Sequence, residues 1–256
     1  DGANSNTALI ALGYINRIAG EFALEYQRDR FQRLNPLAAA RVPRVEIEQR
    51  PWFNPELRSR WFFVPGIIGN LTLIMVVLLT AFSIVREREL GTLEQIMVTP
   101  IRRSEFILGK TLPYFLIGLA DAALIALVGT FWFQVPFRGE LWVLFLGTVL
   151  FLLSMLGVGL FISTISATQQ QAMVTAFFFL MPAITISGFG SPISSMPEAL
   201  QYISYADPLR YFLVVLRGVY LKGVGLEVLW AQMAMMAVIG VTLLTISVLR
   251  FHKSLD

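Results

Sequence analysis

Residues 141–197 read LWVLFLGTVLFLLSMLGVGLFISTISATQQQAMVTAFFFLMPAITISGFGSPISSMP and contain no Asp, Glu, Lys or Arg. No aqueous fold hides so long an uncharged, Phe- and Leu-rich stretch, and about 20 helical residues suffice to cross a hydrocarbon core, so the solvent for this segment is lipid. The rest of the chain agrees. Its 256 residues are 56% hydrophobic and 14% charged, with a mean hydropathy of +0.67, whereas a soluble domain carries about 25% charge. Of the 20 basic and 17 acidic residues, 16 lie in residues 1–63 and nine in 86–110. That pattern excludes a soluble enzyme. A net charge of +3 without a basic stripe points to no nucleic-acid partner. The absence of cysteine removes disulfides, thiolate metal sites and cysteine nucleophiles. The single histidine, His252, cannot build a metal cluster and reads as a solvated tail residue. With neither a Ser–His pair nor paired intramembrane aspartates, no catalytic residue and no metal site is expected.

Working outward, five apolar runs are long enough to span: Val64–Val85, Thr111–Phe133, Leu141–Ile162, Ala172–Phe189 and Val228–Leu249. The expected fold is an all-α polytopic membrane protein with a permease domain over residues 64–256. Pro113 is expected in the first turn of the second span, where its missing donor costs little, and Pro182 inside the fourth.

Residues 1–63 are polar enough for water. Ile15, Ile18, Phe22 and Tyr26 recur at helical spacing behind a cap-like Ser5-Asn6-Thr7, and Val45 and Ile47 alternate with charge in RVEIEQR before the turn-rich PWFNPEL. This predicts a small extracytoplasmic α+β domain. A lone strand cannot satisfy its own edges and the chain starts without Met, so an incomplete N-terminus is expected. With segment 86–110 inside, short inner segments hold seven Lys and Arg against four in the outer ones, a weak positive-inside bias. The nine Arg of the N-terminal domain oppose it unless a domain of that length is discounted.

Between the first two spans lies RERELGTLEQIMVTPIRRSEFILGK, residues 86–110. Leu90, Leu93 and Met97 share a helical face and Arg86 can pair with Glu89, which predicts a short interfacial helix presenting Glu87 and Glu94 to the cytoplasm. The alternative is an ordinary membrane-surface helix. Gly91-Thr92 weighs against it, because glycine within a helix costs about 1 kcal/mol relative to alanine unless another surface approaches closely. Thr99-Pro100 reads as an N-cap and first-turn proline of the next helix. Gly109-Lys110-Thr111 imitates the tail of a phosphate-binding loop, but Ser104 stands where that loop needs glycine, so no nucleotide site is expected here.

Asp121 is the only charged residue well inside a span. It is either an ion-coupling site or a carboxyl paired at a helix interface. Ser154, Gly157, Gly159 and Ser163 permit close helix approach, and Phe178 with its neighbours Phe177 and Phe179 is a candidate lining of an apolar route. Across 191–222, Pro192, Pro197 and the face Leu209, Phe212, Leu213, Leu216 suggest two short amphipathic helices. They either dip into the outer leaflet or lie flat on it, with Asp207 and Arg210 able to pair.

REREL-GTLEQIMVTP resembles the signature after the second membrane helix of type-2 ATP-binding cassette (ABC) exporter permeases. The similarity continues through FILGKTLPY, FWFQVPFRG, ISTISATQQQA and SGFGSPISSMPEALQYISYADPLRYFLVVLRGVYLKG, and includes WFNPEL before the first span, so it runs from about Trp52 to the C-terminus. The resemblance implies a multi-pass bacterial inner-membrane subunit of a multidrug-like exporter, with six spans of which the first is missing here. It makes Arg86 to Thr99 a coupling helix, with Arg86, Glu87, Arg88, Glu89, Gly91, Thr92, Glu94, Thr99 and Pro100 near a separate ATPase subunit. ATP and magnesium would bind to that partner and no cofactor to this chain. A second copy or homologue, membrane lipid and a periplasmic adaptor are the other implied partners. The expected cargo is an amphipathic drug-like molecule or lipid. The competing readings are an ion-coupled secondary transporter using Asp121, and a non-transporting membrane scaffold.

Overall fold

The computed structural model describes residues 5–33, 59–92 and 103–253, and among these there are helices and turns but no strand. Contacts divide the chain into two compact units, Asp1–Phe62 and Phe63–Asp256.

The described part of the first unit is mainly one helix, α1 (Ser5–Arg33). Ile10, Tyr14, Ile18, Phe22 and Tyr26 recur every fourth residue and are exposed. On the helix surface Arg17 Nε bonds Glu21 Oε1 at 3.0 Å, an i, i+4 pair. The expected α+β character is not supported. The strand around Val45 and Ile47 and the PWFNPEL turn lie outside the described residues.

The long helices of the second unit are α2 (Ser59–Glu89), which starts at the boundary, α3 (Arg103–Phe131), α4 (Leu141–Ile165) and α5 (Gln169–Ile186). Two short helices follow, α6 (Glu198–Ile203) and α7 (Pro208–Arg217), then α8 (Leu226–Lys253). Among the described residues four helices are long and apolar enough to cross a membrane: α2, α4, Glu105–Phe131 of α3 and Leu226–Arg250 of α8. The five-span expectation is therefore corrected at α5. This helix opens with three glutamines and ends at Ile186, because Gly188 adopts φ +84 and turns the chain. Its apolar remainder, Ala172–Ile186, is about 22 Å long at 1.5 Å per residue, against a core of about 30 Å. Pro113 also departs from expectation: α3 starts at Arg103, so the proline lies well inside a continuous helix.

Helix α4 is the hub. A Cβ on Gly159 would lie 2.6 Å from Thr80 Cβ and 3.0 Å from Val77 O, so α2 and α4 touch backbone to backbone. Four residues on, Ser163 Oγ accepts the N–H groups of both Ile84 and Val85 at 3.0 Å. Against α8, Ser154 Oγ donates to Met236 O at 2.8 Å, Ser247 Oγ donates to Gly157 O at 3.1 Å, and a Cβ on Gly157 would meet Leu243 Cβ at 2.9 Å. Small residues and hydroxyl-to-carbonyl bonds hold helices together where water expulsion supplies no force.

Helix α7 runs antiparallel beside α4. The Phe151 and Phe212 rings stack at 4.1 Å, a Cβ on Gly147 would lie 2.8 Å from Val215, and one on Gly139 would lie 3.1 Å from Val219 Cα. Leu209, Phe212, Leu213 and Leu216, the face predicted from spacing, are all buried. Phe151 is ten residues into α4, about 15 Å along it, so α7 is sunk among the long helices. Exposed Trp132, Trp142 and Trp230 mark the same end of α3, α4 and α8. Their amphipathic rings suit a membrane–water boundary. The opposite end carries the charged elbow.

Candidate functional site

The elbow is built by the last turn of α2. The helix continues past the apolar run to Glu89, with Arg86 and Arg88 in its final turn, where positive charge complements the carbonyl end of the dipole. Leu90 N–H then donates to Arg86 O at 3.0 Å and Gly91 N–H to Arg88 O at 3.2 Å. Gly91 has φ +70, the left-handed conformation in which glycine ends helices. This corrects the expectation of one interfacial helix from Arg86. Arg86 to Glu89 belong to α2, and the left-handed conformation of Gly91 accounts for a glycine at this position. Leu90 beside it is 63% exposed. Glu94, Thr99 and Pro100 lie outside the described residues.

Behind this projecting turn, polar bonds tie four helices. Glu87 forms an ion pair with Lys110 of α3 and accepts a hydrogen bond from Thr92 Oγ1. The Glu87 side chain is 18% exposed and that of Lys110 30%. A pair so screened from water holds its geometry better than a surface bridge. Arg88 Nη1 donates to Ser166 O at 2.7 Å, with longer contacts from the same guanidinium to Thr164 O. Glu89 Oε2 accepts from Gln169 Nε2 at 2.7 Å and from Gln169 N at 3.3 Å. Arg86 points outward and is exposed. The arrangement offers no nucleophile–base pair. It can bear a load, because a displacement of the turn reaches α2, α3 and the α4–α5 turn through these bonds.

Lys110, Ser166 and Gln169 bond to the elbow, a connection that sequence reasoning did not assign. Lys110 was legible in principle: a cation at the start of one span faces an acid at the end of the preceding one. The carbonyls of Thr164 and Ser166 carry no side-chain signal.

The other expected site residues are dispersed. Asp121 accepts a bond from the fully buried Thr72 Oγ1 at 3.4 Å, at the α2–α3 interface. Ser154 is buried between α4 and α8. Phe178 is 76% exposed, because α5 buries only Ala172, Ala176, Leu180, Ala183 and Ile186. At the tryptophan end, Pro192 O accepts from Ser195 N at 3.0 Å and Pro197 O accepts from Leu200 N at 3.0 Å, so each proline opens a short helical turn.

Asp207 caps α7, its Oδ1 accepting from Leu209 N at 3.0 Å. The expected Asp207–Arg210 ion pair is not formed. Arg210 instead donates to Ser204 Oγ and lies 4.1 Å over the Tyr205 ring. Burial pushes the Asp207 carboxyl up to about 7, against the lowering pull of the Leu209 N–H and the Arg210 charge. At the other end of α7, Arg217, which donates to Gly188 O at 3.3 Å, is pushed down to about 10 by burial.

The family model described as "ABC-2 family transporter protein" matches residues 1–249. The chain is 36% identical over 242 residues to the probable multidrug ABC transporter permease YbhR of Escherichia coli K12, which covers 94% of this chain and 63% of that protein. It is 37% identical over 227 residues to the probable multidrug ABC transporter permease YbhS of the same strain, covering 87% and 58% respectively. With the inner membrane transport permease YhhJ of Shigella flexneri the identity is 33% over 215 residues, covering 83% and 57%. The chain thus spans less than two thirds of the length of these relatives.

Proposed function

The chain belongs to the ABC-2 family of transporter proteins and is a multi-pass protein of the inner membrane, and from that premise we propose that it is a permease subunit driven by a separate ATPase. The projecting Leu90–Gly91 turn, braced from behind by Glu87, Lys110 and Thr92, is the observation that carries this reading. An exposed leucine on a braced turn between two spans suits a groove on another protein. Leu90, Gly91, Thr92, Glu94, Thr99 and Pro100 form the handle, and the ATPase holds ATP and magnesium. Two permease copies, or this chain and a homologue, enclose the route, and a periplasmic adaptor continues it.

Helices α6 and α7 form a re-entrant plug, a reading favoured by the antiparallel packing of α7 along α4. The cargo is an amphipathic drug-like molecule or a lipid. The multidrug names of YbhR and YbhS favour the first. Asp121 is a structural carboxyl here, since its bond with Thr72 gives it a partner at the helix interface.

The test is purification of the full-length protein from its native membrane, followed by dye export in proteoliposomes. A stoichiometric ATPase subunit and ATP-dependent export are expected, and Gly91→Trp or Glu94→Lys should insert normally yet abolish export. Export driven by an ion gradient without ATP, lost in Asp121→Asn, would instead establish secondary transport.

A further inference from the structure

We propose that Arg88 and Glu89 are positioning residues that latch the elbow to the turn between α4 and α5, so that both helices follow the elbow when it moves. This rests on the reading of the elbow as the point where the ATPase pushes.

Two adjacent residues of opposite charge meet two helix ends of opposite polarity. Arg88 forks over Ser166 O and Thr164 O, at the carbonyl-bearing end of α4. Glu89 accepts the backbone N–H and side-chain amide of Gln169, the first residue of α5. Unsatisfied carbonyls and partial negative charge collect at a helix C-terminus, unsatisfied N–H groups and partial positive charge at an N-terminus. Each charge therefore sits on its complementary end, and exchanging them would oppose both.

The turn being gripped is stiff. It is only residues 166–168 long. Ser166 is fully buried, with its Oγ donating to Ile162 O at 2.8 Å, and Thr168 caps α5 by accepting from Gln171 N at 3.2 Å. A displacement applied at Ser166–Gln169 is accordingly delivered to both helices. One turn earlier along α4, Ser163 bonds the backbone of α2, so α4 is held at two levels whereas α5 is reached through Glu89 alone among these bonds. These two side chains consequently face their own chain, whereas Leu90 and Gly91 face outward.

The latch is tested in two steps on the full-length protein, with spin labels at Arg86→Cys, exposed on the last turn of α2, and Ala167→Cys; residues 1–256 hold no other cysteine, and any outside them is replaced by serine. In the permease alone, the interlabel distance distribution should be narrow, broaden in Glu89→Ala, and narrow again in Glu89→Gln, whose amide oxygen still accepts from Gln169. A distribution unaltered by Glu89→Ala overturns the latch, whatever the ATPase does. In the complex with the ATPase, a non-hydrolysable ATP analogue should leave the wild-type distance unchanged, because elbow and turn move together, and should change it in Arg88→Ala/Glu89→Ala. Dye export per ATP hydrolysed should fall about fivefold in that double variant, with the ATPase still bound at wild-type stoichiometry. A wild-type distance that changes with nucleotide, or loss of the ATPase from the double variant, would overturn the proposal and make the pair independent of the turn or part of the docking surface. Absence of any ATPase from the wild-type preparation would instead remove the reading on which the second step depends.

Discussion

Helices α3 and α4 are both long and apolar, yet 72% of the most apolar stretch of α4 is buried inside the chain and only 17% of that of α3. Both are apolar enough to span, and α4 is the more apolar of the two, but lipid is as good a solvent as protein for a leucine, so apolarity alone does not bury a helix inside the chain. The difference lies in the small residues. On α4, Gly147, Ser154, Gly157, Gly159 and Ser163 bring in α7, α8 and α2 at distances no larger side chain permits. On α3, Gly118 meets Val76 and Leu152 on one side, whereas Leu108, Leu112, Leu116, Leu124 and Leu127 are exposed. Burial in a membrane domain is therefore read from glycine and serine, not from leucine.

That contrast can be broken most forcefully at its tightest point. Gly159→Leu places a side chain where Thr80 Cβ and Val77 O already stand, and should cost about 3 kcal/mol of stability. Thermal unfolding in detergent measures it, and a variant as stable as wild type would end the argument that α2 and α4 are in backbone contact. Next in size is the pH response of Asp207, on the helix that α4 buries. A carboxyl raised to about 7 holds its proton in the folded state while the unfolded chain releases it near 3.9. Folded stability is then highest in acid and declines as the pH rises from about 4 through 7. The melting temperature should drop by several degrees between pH 5 and pH 8, and Asp207→Asn, which keeps the cap, should flatten that drop.

Smaller effects sharpen the comparison. Ser154→Ala removes the bond from α4 to Met236 O and should cost about 1 kcal/mol; chemical denaturation resolves a change of that size. Least of all, Gly109→Leu on α3, where no described atom lies within 4 Å, should shift stability by no more than about 0.5 kcal/mol. A cost there comparable to that at Gly159 would mean that glycine spacing says nothing about which helix is central.

Much of the fold was legible. Four of the five expected apolar runs form helices of spanning length, and the face of α7 was correct residue by residue, because burial against neighbours obeys the same 3.6-residue period as the sequence. α5 misled through its ends: three glutamines and the Gly188 turn shorten it, and neither lowers the apolar count of the middle. At the site, the location of the elbow was readable from its charge. Its internal geometry was not. Gly91 was read as an interruption within a helix when it is the stop after one, because propensity reports a cost without saying which conformation avoids it. The roles of Arg88 and Glu89 depend on main-chain groups of Thr164, Ser166 and Gln169, brought close only by tertiary packing.

Ser163 acts on α2 as a key acts on a shaft. Its single oxygen holds the amides of two consecutive residues, Ile84 and Val85, which point around the helix in different directions. Spinning α2 about its own axis by even one residue would strip both amides of this acceptor in a medium that offers no replacement. Any working stroke that α2 makes must then be a swing or a glide in step with α4, and torsion is the one freedom the pair has given up.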